Sequence, residues 1–444
     1  MKGFIYAFRK AFIFAGGITI FLHPLISFKR IRRIGIRRGA IFFISMCFNE
    51  LRLINKVTSD RRTNSPGGDP KRNKFFVRVV NAPARINLIT DSVQVGSLFG
   101  GVATSIILAN EIANKFGMGL RLVTRQQVSR VSNVKALLAN TGNSPVESLE
   151  YQHMPEESND VLTVSSNDFF VTTSWWTTRD VLQSVPARKI IYILQEDERI
   201  FYEAGDLYIE AQTIMNHPSI NVLVNTRSLR NYLIQSGVEG LSLTSLSFEP
   251  SFEHISSGDV SHSHKVKRDL FFYARPNHAR NLYRLGLKTL TNSVEKGILD
   301  PAKWNFHFVG FPENEHFPNT SILPIFHTPS DLVTYKELIG IMDVGLSLMS
   351  SPHPSYPVID LAAAGKMVVT NDFFGKMNLS EKVSDRIIQV PATVESLTLG
   401  LQEAINRIDK LTLSTPSKIE SPYCQTWIEN LKSPLENLKL KLDL

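Results

Sequence analysis

Two permanent cations five residues apart, Arg275 and Arg280, follow the apolar run Leu270-Phe-Phe-Tyr-Ala274. A strand ending there and a helix starting near Arg280 would place both guanidinium groups at the carboxyl end of a sheet, where their forks match phosphate oxygens; pairing with a nearby carboxylate is the other use of such arginines. Asp360 lies about one turn into a small-residue helix, with Ser355 as its predicted N-cap, Pro357 in its first turn and Gly365 as its stop. A carboxylate at that place can accept a hydrogen bond from a sugar hydroxyl, although acidic residues are favoured near helix starts in any case. Three adjacent carboxylates, Glu196, Asp197 and Glu198, follow Gln195 after the run Ile190–Leu194. They can hold a hydroxyl and perturb one another's pKa, or sit in a solvated loop. Gly100-Gly101 before an apolar-periodic helix allows close backbone approach and leaves N–H groups for a phosphate or an acceptor hydroxyl, and a plain tight turn carries the same signature. Trp175-Trp176 follows Phe169–Ser174 at an expected strand end; indole faces stack on sugar rings, yet tryptophans also fill cores. His278 and His353 lie among these groups and can touch a diphosphate or serve as structural residues. No residue is assignable as a catalytic base.

Elements that could position these groups alternate along the chain. Strand-like runs at 76–80 or 85–90, then 121–124, 161–164, 169–174, 190–194 and 220–225, precede a helix at 228–237. A polar stretch, 250–264, reads as a hinge. Runs at 269–274, 304–310, 342–349, 367–370 and 385–390 then alternate with helices at 330–341 and 355–365, with further helices at about 393–410 and 421–441. Strand–helix alternation in both halves implies an α/β class of two doubly wound, Rossmann-like domains, and 444 residues exceed a single core. Open sheets of this kind bind ligands at the carboxyl ends of their strands, where the loops above fall.

Charge is unevenly placed. Residues 1–75 hold 16 Lys+Arg against 3 Asp+Glu, and the remainder 33 against 38. Residues 1–48 mix arginines with apolar runs broken by Gly16-Gly17 and Pro24, too short for a membrane span, and suit a segment lying in an anionic headgroup layer. A disordered or self-packing basic extension and a cleaved signal are the alternatives. Residues 61–72 read as linker. An acidic body argues against nucleic acid as partner. Neither βα turn carries Gly-x-Gly-x-x-Gly, which argues against a NAD-dependent enzyme. Cys47 and Cys424 are too few for a disulfide framework. With no Asp-x-Asp and no His/Cys cluster at zinc spacing, no metal is expected.

Three motifs carry a family resemblance: Ser351-Pro-His-Pro-Ser-Tyr-Pro357 with the helix ending at Gly365, Phe272-Tyr-Ala-Arg-Pro276 with Arg280-Asn281, and Thr173-Ser-Trp-Trp-Thr177. Together with Gly100-Gly-Val-Ala-Thr104 they resemble GT-B glycosyltransferases, most closely rhamnosyltransferases of the WsaF type. Asp360 stands where that family usually has Glu, and Pro352 where the wider retaining family has a second Glu. Asp197 and Arg199 depart from the family's Gln-Asp-aromatic-Glu-Pro pattern. The resemblance implies a GT-B fold: an N-terminal extension over 1–75, an acceptor domain over 76–255, a nucleotide-sugar domain over 256–420, and a helix in 421–444 crossing back to the first domain. It further implies diphosphate binding by Arg275, Arg280 and His353, nucleoside binding by Asp360, Ser355 and Tyr356, and an acceptor cleft around Gly100, Gly101, Trp175, Trp176, Gln195, Glu196 and Glu198. The expected reaction is metal-independent, retaining transfer of a deoxyhexose, L-rhamnose from dTDP-L-rhamnose, to a growing cell-surface or secreted glycan at the inner face of the cytoplasmic membrane. No cofactor beyond the dTDP-sugar donor is expected. A UDP- or GDP-sugar donor and a non-catalytic scaffold that binds glycan or partner enzymes are the alternatives.

Overall fold

In a computed structural model of the chain, the described residues are 73–93, 100–128, 130–252, 255, 265–312, 322–328, 331–410 and 419–444. The basic stretch 1–72 and most of the expected hinge, residues 253–254 and 256–264, lie outside them. Strand β1 (Phe76–Val79) precedes β2 (Arg85–Thr90), helix α1 (Gly101–Phe116), β3 (Gly119–Thr124), α2 (Val131–Asn140), β4 (Leu149–His153), β5 (Val161–Val164) and β6 (Phe169–Thr172). Next come α3 (Trp175–Val181), β7 (Ile190–Leu194), α4 (Asp206–Met215), β8 (Asn221–Asn225), α5 (Arg227–Gln235) and β9 (Ser245–Phe248). The second half contains β10 (Arg268–Tyr273), α6 (Tyr283–Glu295), β11 (Trp304–Val309), β12 (Pro324–His327), α7 (Leu332–Ile341), β13 (Val344–Leu346), α8 (Tyr356–Ala363), β14 (Met367–Asn371), β15 (Ile387–Val390) and α9 (Val394–Lys410). Helix α10 (Trp427–Lys441) follows.

The first half holds a seven-stranded sheet in the order β4-β3-β2-β6-β7-β8-β9, and the second a six-stranded sheet in the order β12-β11-β10-β13-β14-β15. Their pairings are parallel throughout. Near-continuous apolar strands follow from that arrangement, because helices cover both faces; all five residues of β7 are buried. In each sheet the strand order reverses beside its founding strand, between β2 and β6 in one and between β10 and β13 in the other. The crevice outside the carboxyl ends at such a reversal is where open α/β sheets bind ligands. Both halves lie in one unit, Asp69–Leu444.

Two local expectations change. The 76–80 run does not open the main sheet: β1 pairs with β5 as a separate two-stranded sheet, and its residues are mostly exposed. The tryptophan pair begins helix α3 rather than ending a strand, because Ser174 caps it with a reciprocal box to Thr177.

Helix α10 returns to the first half. Its capping box, Thr426 with Glu429, fixes the start, and Trp427, Leu431, Leu435 and Leu438 form one stripe that packs on α1 and β9, in the core shared with β2 and β3. Each such side chain contributes about 1.5–3 kcal/mol when fully buried. Among the described residues no helix is long and apolar enough to cross a membrane.

Helix α6 packs on β10 through Gly286, where a Cβ would meet the Phe272 ring at 2.4 and 2.6 Å. Phe272 is fully buried and cannot swing aside. Gly286→Ala is therefore expected to destabilise the fold by about 1–3 kcal/mol, the usual cost of overpacking, read as a lower urea midpoint with an unchanged m-value.

Candidate functional site

Just beyond the end of β10, Arg275 occupies space that Gly310, directly after β11, leaves open. The φ of Gly310 is +85°, and a Cβ there would approach Arg275 Cγ to 3.1 Å. Arg275 Nη1 donates to Tyr273 Oη at 3.2 Å, and its Nη2 hydrogen-bonds His278 Nε2. Guanidinium only donates, so that imidazole nitrogen accepts and the ring is neutral with its proton on Nδ1. Burial, reinforced by Arg275 and Arg280, pushes the His278 pKa down to about 3. His278 is thus the acceptor that aims Arg275. His278→Ala is expected to weaken binding of a nucleoside diphosphate about fivefold through a less ordered Arg275, whereas His278→Gln, whose Oε1 can accept the same bond, keeps it within about twofold, measured calorimetrically.

The loop between β13 and α8 is held from within. His353 N–H donates to Ser351 Oγ at 3.1 Å, Ser355 N–H donates to His353 Nδ1 at 3.1 Å, and the Ser355 and Ser347 hydroxyls lie 3.2 Å apart. Burial, with Lys376 and Arg280 nearby, brings the His353 pKa down to about 3, so this ring is neutral as well. Ser355 occupies the N-cap position at φ 68°, but its hydroxyl makes no capping bond. Asp360 is 6% exposed and accepts from the Tyr335 hydroxyl at 2.8 Å. Burial raises its pKa to about 7. The Tyr356 hydroxyl reaches the first half: Asn225 Nδ2 donates to it at 2.7 Å, which leaves its proton for Thr104 Oγ1 at 3.0 Å. Tyr356 therefore joins the halves beside the expected nucleoside position.

Across the cleft, Gly100 caps α1 at φ 52°. Gln195 Nε2 donates to the Gly101 carbonyl at 2.7 Å and to Ser105 Oγ at 2.9 Å, tying the turn after β7 to the start of α1. The three adjacent carboxylates are 3–6% exposed, which removes the solvated-loop reading. They have separate partners. Asp197 takes Arg199 through two bonds of 2.8 Å. Glu198 accepts the Trp175 N–H at 2.7 Å, and burial raises its pKa to about 8. Glu196 accepts from the Ser351 hydroxyl of the other half and lies 3.7 Å from Arg280 Nε. Arg280 also sits 4.8 Å from the centre of the Phe201 ring.

Trp175 corrects the expectation of a sugar-stacking pair. It is fully buried, its Nε1 donates to Tyr202 Oη at 3.0 Å, and Arg179 covers its ring at 5.1 Å, so it offers a ligand no face. Trp176 is half-buried and hydrogen-bonds Asp91, whose pKa burial raises to about 6.

Several residues here carry no sequence signal. Asp91 is a lone acid at a strand end, and Asn225 and Thr104 gain their partner only through the fold. Lys376 donates to the carbonyls of Met349 and Asn371 at 3.2 and 3.1 Å behind the Ser351 loop, and burial lowers its pKa to about 8. Among the described residues no group of three His, Cys, Asp or Glu is placed to hold a metal ion.

The chain matches the WsaF N-terminal domain family over residues 85–227 and the WsaF C-terminal domain family over residues 268–402, together more than half of its length. It is 27% identical over 291 residues to the O-antigen biosynthesis protein RfbC of Myxococcus xanthus, a match covering 62% of this chain and 21% of that protein. The chain thus spans about a fifth of that curated relative. Among solved structures it resembles Anabaena HepE in complex with UDP and glucose, at a TM-score of 0.52 and 13% identity, covering 80% of this chain and 99% of that one. It also resembles a Staphylococcus aureus TarM variant solved with fondaparinux, alpha-GlcNAc-glycerol and UDP, at a TM-score of 0.54 and 9% identity, covering 81% and 100%. At such identities the likeness establishes the fold, which is GT-B.

Proposed function

The chain belongs to the WsaF family, and from that premise we propose that it is a glycosyltransferase of glycan biosynthesis, moving L-rhamnose from dTDP-L-rhamnose to a growing cell-surface glycan. The observation that carries the donor half of this reading is the strand-order reversal between β10 and β13, with Arg275 and Arg280 on one side of it and Asp360 on the other. Two arginines and the N–H groups at the start of α8 suit a departing diphosphate on which negative charge develops, without a metal. Asp360 offers the acceptor for the single ribose-ring hydroxyl that a thymidine nucleotide retains. The first half, with Gly100, Gly101, Trp176 and Gln195 at the opposing reversal, takes the acceptor glycan. Retention of the donor's anomeric configuration belongs to the same proposal.

RfbC is named for O-antigen biosynthesis, and HepE and TarM were solved with UDP; these names support a nucleotide-sugar donor and a glycan product. Fold alone does not choose the nucleotide. Calorimetric titration with dTDP, UDP and GDP tests the choice. The tightest binding is expected for dTDP, followed by transfer from dTDP-L-rhamnose in an acceptor screen. Preference for UDP or GDP would replace the sugar and leave the reaction class, and binding of none would make the chain a scaffold.

The enzyme is proposed to work at the inner face of the cytoplasmic membrane, held by the basic, apolar stretch of residues 1–48. Deleting that stretch is expected to remove the protein from floating anionic vesicles. An undiminished floating fraction would end the proposal.

A further inference from the structure

One contact between the two halves is left chemically unfinished. Glu196 Oε1 is engaged, accepting from the Ser351 hydroxyl and from the Asp197 N–H. Glu196 Oε2 is buried and has no hydrogen-bond partner, and the same is true of Arg280 Nε. The two atoms lie 3.7 Å apart, an ion pair outside hydrogen-bond range. Burying a carboxylate and a guanidinium is costly unless the remaining lone pairs and protons find partners. Burial raises the Glu196 pKa even with Arg280 beside it.

A ligand completes this pair only if it brings an oxyanion for Arg280 and a hydroxyl donor for Glu196 on neighbouring atoms. A nucleoside diphosphate brings the first alone and sets new negative charge against a buried carboxylate. A nucleotide sugar brings both, because its pyranose hydroxyls lie a few bonds from the diphosphate. We infer that Glu196 holds a hydroxyl of the transferred sugar, reaching it from the half opposite the nucleotide, so that the cleft favours the loaded donor over the spent nucleotide. The inference rests on the donor-site reading above. It gives Glu196 a part in turnover: once the sugar has left, the same carboxylate repels the remaining diphosphate and speeds its departure.

The test is calorimetry on the full chain with dTDP and with dTDP-L-rhamnose, or with the UDP pair if UDP proves the tighter nucleotide, and without acceptor. Glu196→Ala is expected to tighten dTDP binding about threefold, by removing the repelling charge, and to weaken dTDP-L-rhamnose binding about tenfold, by removing the hydroxyl's acceptor. Glu196→Gln, which keeps an acceptor oxygen and loses the charge, should tighten dTDP while retaining most of the sugar nucleotide's affinity. It also serves if the alanine variant does not fold. Equal changes for both ligands in either variant would overturn the inference. Arg275→Ala run in parallel separates the two levels: if it leaves dTDP binding unchanged the donor site itself is wrong, and if it abolishes binding while the Glu196 variants show no opposite shifts, only this inference falls.

Discussion

Arg275→Ala is expected to weaken nucleoside diphosphate binding by about 2–3 kcal/mol, roughly 30- to 150-fold, at low ionic strength. The size follows from how the side chain is held. Its guanidinium is aimed by Tyr273 and by the neutral His278, and Gly310 clears its path. Little rotamer freedom remains to be lost when phosphate arrives, so most of the charge-assisted bond appears as affinity. Arg275→Lys should recover only part, because an ammonium cannot repeat the two-pronged geometry or the bond to His278. The loss should shrink as salt is raised and be small for thymidine, which has no phosphate. Unchanged dTDP affinity at low salt would remove Arg275 from the donor site. Thermal stability should hardly move, since the residue is only half-buried.

Asp360→Asn should move stability and binding in opposite directions. Burial lifts the Asp360 carboxyl from its ordinary 3.8 to about 7. Between those values the folded protein keeps a proton that the unfolded chain has released, so the stability this group allows is full below about pH 4 and falls as pH rises through 7. At pH 8 that cost is on the order of 4 kcal/mol. An asparagine has no such titration and its Oδ1 still accepts from Tyr335, so the variant should melt higher than the parent at pH 8 and level with it near pH 4. Nucleoside binding should run the other way. Wild-type affinity for dTDP should climb as Asp360 ionises between pH 6 and 8, and the variant should lose that climb and bind about tenfold more weakly at pH 8, the worth of a hydrogen bond to a charged acceptor. A melting difference that does not depend on pH would show that the carboxyl is not held neutral.

The two sheets were legible because their central strands are buried on both faces and read as unbroken apolar runs, β7 being the clearest. The strands that pattern reading missed are at or near sheet edges: β4 (Leu-Glu-Tyr-Gln-His), β9 (Ser-Leu-Ser-Phe) and β12 (Pro-Ile-Phe-His). An edge strand is covered less, so its sequence need not be apolar. In the candidate site, loops at strand ends could be found from their glycines, prolines and charges, but the contacts between them could not. Glu196 meets Ser351 across 155 positions and Thr104 meets Tyr356 across 252, and no spacing rule reaches that far. Trp175 shows the converse. Its residue type suggested a sugar platform, and the Tyr202 hydroxyl and the Arg179 guanidinium enclose it instead.

The return of α10 to the first half also sets an order of assembly. The stripe Trp427, Leu431, Leu435 and Leu438 packs on β9 and on α1, a helix made more than 300 residues earlier, and completes the core they share with β2 and β3. A ribosome that has reached residue 420 has produced every strand of both sheets, yet the older core still lacks one wall. Domains tend to fold as units in the order of their synthesis. Here the half that emerges first is completed last, and until α10 arrives its open side is a surface for chaperones to guard.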